Sequence, residues 1–80
     1  MMLTAKFAHP QSGNYADVQY AADRLTVNAD YEVERVEMGG FHTSVWLKDI
    51  PGAFNSVQFD FYEDGKELDI YHDPRFNPYI

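Results

Sequence analysis

"SVQFDFYEDGKELDIYH", residues 56–72, decides the fold. Val57, Phe59 and Phe61 alternate with Gln58, Asp60 and Tyr62, and Leu68 and Ile70 alternate with Glu67, Asp69 and Tyr71. A period of two marks a strand with one apolar and one mixed face. Between the two runs stands Asp64-Gly65, a pair that tolerates the positive φ angles of a type I′ turn. The stretch predicts a tight antiparallel hairpin.

Working upstream, "HTSVWLK" repeats the pattern, with Thr43, Val45 and Leu47 opposing His42, Ser44, Trp46 and Lys48. "IPGAFN" separates that strand from the hairpin, and Pro51-Gly52 suits the central positions of a type II turn. In "DYEVERVEMGG", Tyr31 and Val33 face inward but the next apolar residues are Val36 and Met38, so the alternation slips by one at Glu34-Arg35. A β-bulge produces such a slip. Leu25 and Val27 form a further alternating pair before an Asn28-Ala29-Asp30 turn, and Leu3, Ala5 and Phe7 mark an opening strand ended by His9-Pro10. "NYADVQYAADRL" is ambiguous. Tyr15, Val18, Ala22 and Leu25 fit helical spacing and Asn14 with Asp17 resembles a capping box, but "ADVQYA" also fits a strand. A loop or one helical turn near residues 15–24 is the expectation. Five or six short strands with turn signals every eight to twelve residues give an all-β class, a small antiparallel barrel or a curled meander.

Eighty residues imply a single domain, residues 1–80. A chain this short buries only about two thirds of its unfolded surface, so a homodimer would help it. The 16% aromatic content offsets this, because each ring can bury roughly 150–250 Å². There is no cysteine, hence no disulfide and no thiolate metal site, which fits a cytoplasmic setting. No apolar run approaches the roughly 20 residues of a membrane span, and the start lacks a signal peptide's apolar region. Neither membrane association nor secretion is expected. The formal net charge of −7 repels phosphate backbones, so direct nucleic-acid binding is disfavoured and a protein partner with a basic surface is favoured. A plain alternative is that acidity serves solubility.

Catalytic signals are weak. His42 and Ser44 share a strand face, but any strand places i and i+2 together, and no glycine-framed nucleophile elbow is present. No enzyme is expected. His72, Asp73 and Asp69 form the better acidic cluster, and a small metal- or ligand-binding enzyme using that face is the alternative. It competes with a solvated acidic face in which Asp73 merely starts the turn dictated by Pro74. No cofactor is expected.

The outward residues suit protein binding. Trp46, Tyr62 and Tyr71 fall on the mixed faces among the carboxylates of Asp60, Glu67 and Asp69, with Asp60 placed near Asp69 across the hairpin. Aromatics among acids fit a Lys/Arg-rich surface through charge pairs and cation–π contacts. An extreme version is mimicry of DNA by repeated carboxylates. A structural subunit of a larger assembly is a further alternative. The end of the chain, "DPRFNPYI", carries Phe76, Tyr79 and Ile80 between prolines that exclude a helix and favour extended backbone. Residues 73–80 read as a strap folded back over the outward aromatics, so the candidate partner-binding set is Trp46, Asp60, Tyr62, Glu67, Asp69, Tyr71, Phe76 and Tyr79.

The run Leu25, Val27, turn, Tyr31, Val33 and bulge is similar to the opening of small Src-homology-3-like barrels, over roughly residues 23 to 72. That resemblance implies a leading strand entering a bent hairpin. Through "HTSVWL", "FNSVQFDFY" and "DPRFNPYI", the chain as a whole resembles the small acidic accessory proteins of phages and mobile elements of Gram-positive bacteria. This implies a non-enzymatic accessory or inhibitor role and transfers no site residues.

Overall fold

The computed structural model describes residues 2–80. It is mostly β, with six antiparallel strands in one sheet and one short helix. The elements are β1 (Leu3–Lys6), α1 (Tyr15–Ala22), β2 (Asp30–Met38), β3 (Thr43–Leu47), β4 (Ile50–Asn55), β5 (Asp60–Glu63) and β6 (Lys66–Leu68). Two 3₁₀ turns, Ser56–Gln58 and Ile70–His72, follow β4 and β6. The strand order is β4-β3-β2-β1-β5-β6, and the sheet does not close into a barrel.

The sheet is nonetheless strongly curled, for a reason of chain length. β4 and β5 follow each other in sequence but stand four places apart in the order. On a flat sheet four spacings of about 4.8 Å would separate them by roughly 19 Å. The link, residues 56–59, is mostly 3₁₀ turn at about 2 Å per residue and reaches only roughly 13 Å. Bending is concentrated in β2, whose first residues pair with β1 and whose remainder pairs with β3. The register shifts between Val33 and Arg35, where the slip in alternation places a bulge. Strands that pass from one half of a sheet to another turn at such bulges.

The concave side holds the core: Leu3 and Ala5 from β1 with Phe7 just after it, Val45 and Leu47 from β3, Phe54 from β4, Phe59, Phe61, Ile70, and Ala21 and Leu25 near the helix. Tyr31, Val33, Val36 and Met38 of β2 pack against it from both sides of the bulge. The hairpin of β5 and β6 has the expected register, Glu63 opposite Lys66 and Tyr62 opposite Glu67. Asp64 and Gly65 both adopt positive φ, 51° and 86°, as a type I′ turn requires.

Four local expectations are corrected. Residues 56–58 are a 3₁₀ turn rather than strand: the Asn55 side chain accepts from the Val57 N–H at 3.2 Å, which tightens the chain. Val57 therefore swings outward and Gln58 is buried, donating to the Pro10 carbonyl at 3.3 Å. The turn after β3 falls at Lys48-Asp49, where Asp49 takes φ 64°, while Pro51 and Gly52 bulge within β4 between the pairs Leu47–Ile50 and Trp46–Ala53. Leu25 is buried, but Val27 is exposed and belongs to the turn at Asn28 rather than to a strand. Finally, the ambiguous segment is a helix of 8 residues, longer than one turn. Its capping box is complete: Asn14 Oδ1 accepts from the Asp17 N–H at 2.9 Å, and Asp17 accepts from the Asn14 N–H. The helix docks on β4, where Asp17 accepts from the Asn55 amide at 2.9 Å and Tyr20 packs on Phe54. A helix and a proline-bearing bulge thus protect an edge strand from pairing with another chain.

Candidate functional site

The ladder registers set the rows of side chains on the convex face. Glu67, Tyr62, Thr4 and Glu32 stand opposite one another across β6, β5, β1 and β2. A second row runs Asp60, Lys6, Asp30. Lys6 sits between two carboxylates and lies 5.7 Å from the Tyr62 ring centroid, a cation–π distance. Thr4, Lys6, Asp30, Tyr62 and Gly65 line a shallow hollow of about 380 Å³ there. Glu32 is bridged by Lys48 at 3.2 Å, which raises the Lys48 pKa above its ordinary value. Asp60 lies 2.8 Å from His9 Nε2, a partnership the sequence reading missed.

The eight sequence-predicted residues do not form one patch. Tyr62, Glu67 and Asp60 share the β1–β5–β6 face. Trp46 is on β3, separated from β5 by β2 and β1, with the Arg35 guanidinium stacked 3.9 Å over its ring. Asp60 and Asp69 are not a ladder pair, because β6 ends at Leu68, but they lie near each other as expected and line one hollow with Glu67 and Tyr71. Asp69 instead caps the second 3₁₀ turn, accepting from the Tyr71 N–H at 3.0 Å, with His72 Nδ1 2.6 Å away. Tyr71 turns its hydroxyl to Ser56 at 2.6 Å, on a different surface from Tyr62.

The tail lies on the concave side. Glu63 shares the pleat of Phe61 and so faces inward, and Arg75 reaches it at 2.6 Å while also donating to Asp73 at 2.6 Å. Phe76 packs against the core cluster, and the Asn77 amide donates to the Tyr71 carbonyl at 2.6 Å. Tyr79 and Ile80 are exposed. The tail thus meets the chain beneath β5 and at Tyr71, rather than at Trp46 or the Tyr62 face. Asp73 is bound by Arg75 rather than turned toward His72, so the His72/Asp73/Asp69 cluster is divided between two local pairs. Among the described residues no group of three or more His, Asp or Glu side chains converges as a metal-holding set.

These pairs carry a pH dependence. The hydrogen bonds from Arg75 hold the Asp73 carboxyl below its ordinary value of 3.8, and the bond with His72 does the same for Asp69. A carboxylate with a lowered folded-state pKa stabilises fully above the ordinary value, and that contribution is lost as the pH falls through the lowered one. Acidification below about pH 4 should therefore release the tail before the sheet. In an NMR titration, the amides of residues 75–77 should move with a midpoint under 3.8 while those of Ala5 and Val45 hold.

A second concavity was not signalled by period-two reading. The loop Gly39–His42, closed by a Gly39 N–H bond to the His42 carbonyl at 3.0 Å, faces the Asn55–Val57 turn across an open cleft of about 610 Å³. His42 belongs to this loop rather than to β3. Phe41 is fully exposed, and Val57 and Tyr71 line the same cleft with 45% and 39% exposure. The available signal was a phenylalanine directly after Gly39-Gly40, a large apolar residue where a turn residue is expected.

Comparison with protein families bears on the whole chain rather than on one face: the family described as Bacteriophage T4 protein Y07B matches residues 2–80. The chain belongs to that family. No curated protein and no solved structure matches it. The Y07B family match agrees with the phage resemblance carried by "HTSVWL", "FNSVQFDFY" and "DPRFNPYI". It assigns no role to the convex rows or to the cleft.

Proposed function

We propose that this phage-family chain is a non-enzymatic accessory protein that docks its convex β1–β5–β6 face on a basic protein surface. The observation that carries this reading is the cross-strand row Glu67–Tyr62–Thr4–Glu32 beside Asp60 and Asp30. Tyr62 supplies an aromatic anchor, and Lys6 already occupies the position over its ring that a partner's cation would take. The net charge of −7 steers such a partner from a distance and repels nucleic acid. Complementary charge mainly accelerates and specifies association, so binding should weaken as salt rises. The division of Asp69, His72 and Asp73 into separate local pairs weighs against the alternative metal- or ligand-binding reading.

Affinity capture from phage-infected cells at low and high salt tests this, with wild type compared with the double variant Tyr62→Ala/Glu67→Lys. Both positions are on the convex face, so the variant should fold. The expected result is a partner held at low salt by wild type and reduced at least about tenfold by the variant. Equal retention by both proteins would sink the convex-face reading.

A further inference from the structure

The cleft between the Gly39–His42 loop and the Asn55–Val57 turn is built differently from the convex face. Its exposed apolar groups are Phe41, Val57 and the ring of Tyr71. Polar groups share the lining: Ser12, His42, Thr43 and Asn55, and the hydroxyl pair of Ser56 and Tyr71 at 2.6 Å. Phe41 stands wholly in water, so its ring gains nothing from the chain's own core. Exposed apolar side chains gathered on one concavity mark an interaction surface, whereas singly scattered ones do not.

Charge around the cleft decides what fits it. Glu37 lines the adjoining hollow that shares Phe41, and Asp17 lines the next one, which shares His42 and Asn55. Among the described residues, no lysine or arginine lines any of these three hollows. A second copy of this chain would bring another −7 to an already acidic rim, so self-association there opposes its own charge. We infer that the cleft seats an extended segment of a partner protein presenting one apolar side chain flanked by lysine or arginine. The apolar side chain enters between Phe41 and Val57, the cations meet Glu37 and Asp17, and the Tyr71 hydroxyl, held from behind by the buried Ser56, bonds the segment's backbone. This inference shares only the basic class of partner with the proposed function. It uses a separate surface, so each can fail alone.

An NMR titration with synthetic peptides tests it. The probes are an acetylated, amidated Gly-Arg-Leu-Arg-Gly, its Glu-flanked counterpart and a version with serine in place of leucine. The Arg-Leu-Arg peptide should shift the amides of Gly40, Phe41, His42 and Val57 with a Kd on the order of 1 mM. The other two should bind at least about fivefold more weakly, and Phe41→Ser should weaken the first by a similar factor. Phe41 is exposed, so its replacement should leave the remaining spectrum unchanged; Glu37→Lys serves as a second, independent variant. Absence of shifts, equal shifts with the Glu-flanked peptide, or shifts confined to Thr4, Tyr62 and Glu67 would overturn the inference. Concentration-dependent shifts of the cleft amides in the protein alone would also overturn it, by making a second copy the occupant.

Discussion

Phe59→Ala is expected to leave the domain barely folded. Phe59 is the ring on which the others meet, with centroids 5.7 Å from Phe7, 6.2 Å from Phe54 and 6.2 Å from Phe61. It is nearly fully buried and ends the short crossover that forces the sheet to curl. Truncating a buried phenylalanine costs about 3–5 kcal/mol, the sum of lost transfer free energy and the cavity left behind. A chain of this length has roughly 4–12 kcal/mol of stability in total. Each kcal/mol lowers the melting temperature of so small a domain by about 4–8 °C, so a fall of at least about 12 °C is expected. Phe59→Leu, which keeps most of the volume, should cost less than about half as much. Urea and thermal melts of the three proteins check this. A Phe59→Ala melt within a few degrees of wild type would show that the rings are not the centre of the core.

Gly52→Ala should produce the second largest loss, and a control separates its two causes. Gly52 has φ +91°, a region costly for any residue with a Cβ. An added Cβ would also stand 1.7 Å from the Tyr20 hydroxyl oxygen, so Tyr20 must move. Moving it breaks the bond to the Pro51 carbonyl at 3.1 Å and disturbs the ring contact with Phe54 at 5.3 Å. Backbone strain and lost packing together should cost about 2–4 kcal/mol. Gly65 has a similar φ, +86°, with nothing near the added atom, so Gly65→Ala isolates the strain at roughly 1 kcal/mol. Tyr20→Phe removes the nearest obstructing atom. Harmful alone, it should recover part of the loss in the Gly52→Ala background. Equal losses for Gly52→Ala and Gly65→Ala in denaturant melts would refute the steric contribution.

Much of the fold was legible because local rules and tertiary structure agree. Thr43, Val45 and Leu47 alternate and are buried; the slip at Glu34-Arg35 is the bulge; Asp64-Gly65 is the hairpin turn. Legibility failed where a side chain bonded the backbone beside it. Asn55 diverts the chain into a 3₁₀ turn and thereby exchanges Val57 for Gln58 in the core, although alternation placed them the other way round. Gly52 takes the expected positive φ, but inside the β4 bulge, while the chain reverses at Asp49, which takes a positive φ of its own. The capping box of α1 was readable, but the helix buries only Ala21 fully, so its apolar spacing said little about its length. The candidate site was legible in parts. Alternation correctly turned Tyr62 and Trp46 away from the core, yet whether they stand together depends on strand order. Nothing local to either residue shows that β1 and β2 lie between their strands.

The position of β1 has a consequence for how the chain is made. It is made before the five strands it shares a sheet with, yet it sits inside that sheet, with β2 on one flank and β5 on the other. Met2 is also tied to the far hairpin, donating to Asp64 Oδ1 at 2.9 Å and accepting from the Asp64 N–H at 3.0 Å. On the ribosome, Thr4 must therefore wait until Tyr62 has been made. Until then β1, β2, β3 and β4 can form only a four-stranded meander with the flank of β1 open. Pairing across such a sequence distance places folding in the slower millisecond-to-second regime of β domains. Commitment to the native state comes only once the β5–β6 hairpin can pair with β1, so the nascent protein is most exposed to proteases and to misassociation while that hairpin is missing.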